Sequence, residues 1–164
     1  MNKIYKLLRL IVIFLSVSAS AQTFPDASLT PGVIDPKATK EMICTKGYTS
    51  QKDVRKVSLK TKKQVFIRYK IPWSEHAKYE VDHAVSLENF GSNSLLNLWP
   101  QIYCSVGNNP IETNCWGARE KDVVETKVHK WFCKDLLTKE QIIHILLKDW
   151  VSCYKQIKLG KICD

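Results

Sequence analysis

A length of 164 residues, 45% of them hydrophobic, suits one domain with a sizeable core, and no internal repeat or low-complexity linker divides the chain. Lys and Arg number 25 against 16 Asp and Glu, a formal charge of +9 that favours polyanionic partners. The 6 cysteines include no Cys-x-x-Cys, which speaks against a thiolate zinc site or a thioredoxin-type redox centre.

Residues 1–21 read as a cleaved secretory signal: Lys3, Lys6 and Arg9 form a basic start, Leu10 to Leu15 an apolar stretch, and Ala19, Ser20 and Ala21 a small-residue cleavage site. The apolar run is shorter than the roughly 20 residues a bilayer demands, so the mature form is expected without a membrane anchor. The mature chain, residues 22–164, is expected as a single periplasmic or secreted domain, and losing the signal takes the charge from +9 to +6. All six cysteines lie beyond the signal, and an even number in an exported chain argues for disulfides. Local spacing favours Cys104 with Cys115 and Cys153 with Cys163, which leaves Cys44 with Cys133 to staple the N-terminal segment to a central helix.

Gln22 to Pro36, with three prolines and a glycine, predicts an irregular arm over the domain surface, and Ala38 to Cys44 a short helix. Between Gln51 and Lys70 lie Lys52, Arg55, Lys56, Lys60, Lys62, Lys63, Arg68 and Lys70 against Asp53 alone. Such a patch attracts a polyanion through counterion release, with Lys60, Lys62, Lys63 and Arg68 as candidate contacts, or else is a solvated face that keeps the protein soluble. Ser58 to Tyr69 satisfies both helix and strand patterns, with helix preferred, and Pro72 ends it.

Tyr79 to Val85 alternates as a strand, Gly91 to Ser94 makes a turn, and Leu95 to Trp99 returns as a second strand of a hairpin. A regular strand would aim Asp82 and His83 to opposite faces, so for both to serve one site the strand must end or bulge there. Gly117 to Cys133 is helical: Val124, Val128, Trp131 and Phe132 form the packing face, and Asp122, Glu125 and His129 fall in the opposite sector. Arg119 and Lys121, in the same helical turn, could grip a phosphate. Thr138 with Gln141 matches a capping box opening a last, scaffolding helix with an apolar flank from Ile142 to Tyr154. Trp73, Trp99 and Trp116 could stack on unpaired bases but read more simply as small-core residues.

Strand, loop, strand and helix, with Asp82 and His83 ending the first strand, Gly91 in the loop and Asn97 and Leu98 on the return, resembles the His-Me finger, HNH or ββα-metal nucleases over roughly residues 79–133. The whole chain also resembles small exported bacterial proteins with Glu-x-Asp-His, Asn-Leu-Trp-Pro, Lys-Asp-x-x-Glu and Asp-Trp motifs. The fold implied is α+β, a ββα-metal finger embedded in a mainly helical, disulfide-bonded domain.

The resemblance implies a metal-dependent endonuclease that hydrolyses phosphodiester bonds of DNA, or RNA, with little sequence specificity. His83 would be the general base, since an imidazole accepts a proton near neutral pH. Asn97 would hold the ring in its working tautomer. Asp82 would supply one metal ligand, and Asp122, at the helix start, the second. Glu125 would hold a metal-bound water or support the metal ligands from behind, with His129 as the fallback ligand. Carboxylates and water as ligands point to Mg²⁺. The expected partner is nucleic acid, DNA before RNA, with the protein a monomer. The alternatives are a non-catalytic basic nucleic-acid-binding module and a metallohydrolase of another substrate.

Overall fold

The alternation that begins at Tyr79 forms β1, Tyr79–His83, which pairs antiparallel with β2, Leu98–Ile102, from Tyr79 opposite Ile102 to His83 opposite Leu98. A computed structural model describes residues 23–48, 54–104 and 113–163; the signal segment 1–21 and Lys52 lie outside these residues. Among them the chain is a mixed α+β domain with one two-stranded hairpin, five α-helices and three disulfides. No helix among the described residues is long and apolar enough to cross a membrane.

Period two divides the hairpin between two partners. Val81 and Leu98 pack on Val65 and Phe66 of α2, Leu59–Arg68, in a small apolar cluster. Asp82 and Trp99, on the other face, turn towards α3, Ala118–Phe132, where Asp82 meets Lys121. The helix preferred for 58–69 therefore forms, capped by Ser58, whose Oγ accepts the Thr61 N–H at 3.1 Å.

The second strand begins three residues later than expected. Ser94 Oγ accepts the Leu96 N–H at 3.2 Å and nucleates a 3₁₀ turn, Leu95–Asn97, which the apolar pattern alone does not betray. The strand then runs through Pro100, tolerable because both strands of this sheet are edges. In the intervening loop, Phe90 takes a left-handed conformation with φ 74°. A Cβ on Gly91 would lie 1.7 Å from the Val85 carbonyl oxygen, so only glycine lets the loop close on itself.

The N-terminal arm is irregular and lies over the surface, as expected, and is stitched to it by hydrogen bonds. Ile34 bridges to Gly91, and Gly32 N donates to Leu96 O at 3.1 Å. The buried Thr30 hydroxyl donates to Leu98 O at 3.0 Å. The larger core joins Val124, Val128 and Phe132 of α3 to Ile142, Ile145, Leu146, Trp150 and Tyr154.

The last helix opens on the expected box: Thr138 N donates to Gln141 Oε1 at 2.8 Å, and Gln141 N to Thr138 Oγ1 at 3.2 Å. It is not one regular helix. A π turn, Ile145–Asp149, separates α4, Lys139–His144, from α5, Trp150–Lys158. The short helix α1 spans Lys40–Ile43. All three disulfides follow the spacing-based pairing: Cys44–Cys133 ties α1 to the end of α3, Cys104–Cys115 closes the connection between β2 and α3, and Cys153–Cys163 anchors the C-terminal segment.

Candidate functional site

β1 ends at His83, and at that end Asp82 and His83 line one cleft of about 310 Å³ with Asp122 and Glu125 of α3. Arg55, Glu80, Ser86 and Glu88 also line it. The two halves of the expected site thus converge, but the cation at their meeting point belongs to the protein. Lys121, with 0% of its surface exposed, donates to Asp82 Oδ2 at 2.7 Å, to the His83 carbonyl oxygen at 2.8 Å and to Glu125 Oε1.

Three donors meet three acceptors, so this ammonium group has no N–H left for a phosphate. The phosphate-gripping role expected of Lys121 is therefore corrected: it pins strand to helix. Burial by itself would lower the Lys121 pKa, but the carboxylates of Asp82 and Glu125 outweigh it and hold the group charged. Glu125 is pushed well above the usual carboxylate range, mainly by burial, with Asp82 and Asp122 adding to the effect.

Asp122 stands at the exposed rim of the same cleft. Partial burial, then the negative charges of Asp82 and Glu80, raise its pKa to about 6. His83 moves the other way. Burial lowers its pKa to about 4, only partly opposed by Asp82, so at neutral pH the ring is uncharged and able to accept a proton.

The polar neighbour of the His83 ring is Asn93, with Oδ1 3.4 Å from Nε2. The orientation of that amide is fixed, because Nδ2 donates to Val54 O at 2.7 Å and Oδ1 accepts the Lys56 N–H at 3.1 Å. An acceptor facing Nε2 puts the ring proton there and leaves Nδ1 as the basic nitrogen.

Asn97 does not orient the imidazole, which corrects that expectation. Its Oδ1 accepts the Val85 N–H, and its Nδ2 donates to the carbonyls of Val85 and Ser92, each at 2.9 Å. A fully buried amide between two strands must satisfy itself on backbone, and in doing so Asn97 fixes the loop that follows His83. Asn89 ties the same loop to α3, donating to Ser86 Oγ at 2.7 Å and to Glu125 O at 3.2 Å.

His129 is outside the cleft: Nδ1 lies 2.8 Å from Glu88 O, and Nε2 lies 3.8 Å from Cys133 Sγ. Its place as fallback ligand is corrected accordingly. Arg68 is likewise a structural clamp, donating to Leu95 O at 2.6 Å and to Leu29 O, and not a free polyanion contact. Lys60, Lys62 and Lys63 are exposed along α2, and Arg119 is exposed at the start of α3.

Among the described residues no three His, Cys, Asp or Glu side chains gather as a metal-binding group, which is the arrangement a closed protein cage would need. What the cleft offers is hard oxygen donors: Asp82, with Oδ2 committed to Lys121, and Asp122, crowded by like charge.

The roles of two residues of the site escaped sequence reasoning. Arg55 was visible only as one cation of a patch, yet it donates to Val81 O at 3.4 Å and lines the cleft. Lys121 left a clearer signal, since it shares the i, i+3, i+7 stripe of Val124 and Val128 and so belongs on the buried face. A lysine there requires carboxylate partners. In comparisons with known proteins, no family model, no curated protein and no solved structure matches this chain.

Proposed function

We propose that the protein is an exported endonuclease that hydrolyses phosphodiester bonds of nucleic acid, DNA before RNA, with little sequence specificity. On this reading β1, β2 and α3 act as a ββα-metal finger. One observation carries it: Asp82 and His83, from a strand end, and Asp122 and Glu125, from the first turns of a helix, line a single cleft. Three disulfides suit the oxidising compartment that export would bring.

His83 is the general base. Its ring is neutral, Nδ1 is its free basic nitrogen, and a water in the cleft is the proton donor. Lys121 keeps the base in place through the His83 carbonyl and holds the Asp82 carboxylate beside it. Arg55, a guanidinium on the cleft wall, supplies fixed positive charge for a phosphate.

A divalent ion fits this donor set. Mg²⁺ typically takes only one or two carboxylates and keeps several waters, and Asp82 and Asp122 are such a pair. After burial, the charges of Asp82 and Glu80 raise Asp122, and a cation relieves that part of the effect. Bound there, the ion would neutralise charge developing on the phosphate.

The test is supercoiled plasmid incubated with purified protein, with Mg²⁺ or with a chelator. Nicking that vanishes in chelator and returns with added Mg²⁺ is expected, with 5′-phosphate ends on the products. Salt-sensitive binding without cleavage under every metal condition would select the binding-module alternative instead.

A further inference from the structure

Beside this cleft lies a second, of about 490 Å³, bounded by α2, the 3₁₀ turn Trp73–Lys78 and β1. Arg55 and Glu80 line both, so the two share a wall. We propose that the second cleft receives an unpaired nucleotide next to the bond being cut, so that the protein prefers single-stranded nucleic acid to duplex. The choice of ligand rests on the nuclease reading above.

The walls suit a stacked base and its phosphate. His76 is exposed, yet its ring is fixed: it stacks on Trp73 with centroids 4.6 Å apart and planes 7° from parallel, and Nδ1 lies 2.9 Å from Trp73 O. One face is covered by the indole, which leaves the other as a rigid platform. Phe66, buried beneath, meets Trp73 and Tyr79 edge-on at 5.1 and 5.9 Å and locks those rings in turn. Across the cleft Tyr103 is 40% exposed and is oriented by its hydroxyl donating to Glu80 Oε2 at 3.1 Å.

The cations are placed to match. Lys62 lines the cleft and forms no ion pair among the described residues, and Arg55 stands at the junction with the first cleft. Aromatic planes with flanking cations bind bases by their faces, without reading sequence. In a duplex those faces are stacked away, so only an unpaired base can use the platform.

The experiment uses His83→Ala protein, so that binding is read without cutting. Its affinity is measured for a labelled oligothymidylate and for a hairpin duplex of equal charge. The single strand should bind more tightly. His76→Ala and Tyr103→Leu, both at exposed positions, should each weaken its binding roughly 5- to 100-fold and leave duplex binding unchanged, while Tyr103→Phe, which keeps the ring and loses only its tether, should lose less than Tyr103→Leu. Equal affinity for the two ligands, or unaltered oligothymidylate binding by both folded variants, would overturn the proposal. Selective loss in these variants from a protein that cuts nothing upholds the cleft and removes the hydrolase; cleavage by the wild type together with oligothymidylate binding untouched by either substitution does the reverse.

Discussion

Lys121 bears more of this site than any other residue. Its ammonium group is the only cation bonded to both Asp82 and Glu125 among the described residues, and it is fully buried. Replacing one partner of such a cluster strands charge in a low-dielectric interior, a loss of about 3–5 kcal/mol. Lys121→Met should therefore lower the unfolding free energy measured in urea by that amount, and Lys121→Met with Glu125→Leu should recover part of it; a single substitution within about 0.5 kcal/mol of wild type would show that the cluster is not formed. Asp122 makes the opposite case. Its folded pKa of about 6 lies above the ordinary 3.8, so its stabilising contribution is complete below 3.8 and is lost as pH rises through 6. Ionised at neutral pH, the carboxylate works against the fold, which is a frequent cost of an active-site charge. Asp122→Asn should raise Tm at neutral pH in chelator and leave it unchanged below 3.8. Asp82 and His83 were legible in the sequence because an acid and an imidazole stand side by side at a strand end, ahead of the Asn97-Leu98 pair. The Asn93 contact was not, since its fixed amide depends on backbone from the 54–56 segment that no spacing rule brings there.

At the scale of elements, α3 was readable almost to the residue and the hairpin in its existence and its first strand's start, while the second strand begins three residues later than its pattern suggests. What local patterns could not supply was the loop between the strands. Its shape comes from Asn97 bonding Val85, from Gly91 closing on Val85 O, and from the N-terminal arm pairing at Ile34, all contacts distant in sequence. The π turn at Ile145–Asp149 was hidden for a similar reason: the apolar flank satisfies a regular helix equally well. Gly91→Ala tests the loop directly. The added methyl must displace backbone, at about 3 kcal/mol, the upper end for overpacking. Because this loop follows His83, cleavage should fall as well, whereas a variant of unchanged stability and activity would mean that the loop relaxes freely.

Across the whole molecule, two helices clamp a two-stranded hairpin, and disulfides fasten the parts that a small core holds least. Cys44–Cys133 spans 89 residues of chain and fixes α1 on the end of α3, whereas the other two close separations of 11 and 10. The cleft beside the basic helix α2 and the acidic cleft share Arg55 and Glu80 in their walls. This layout can hold a polyanion beside a carboxylate site that would otherwise repel it. The central claim is that the convergence of Asp82 and His83 with α3 makes a hydrolytic centre with His83 as its base. The most direct measurement is the initial plasmid-nicking rate of His83→Ala against wild type in Mg²⁺, at matched folding by circular dichroism. A loss of roughly 10²- to 10⁴-fold is expected, the usual worth of a general base. A His83→Ala protein that nicks plasmid at the wild-type rate would contradict the claim.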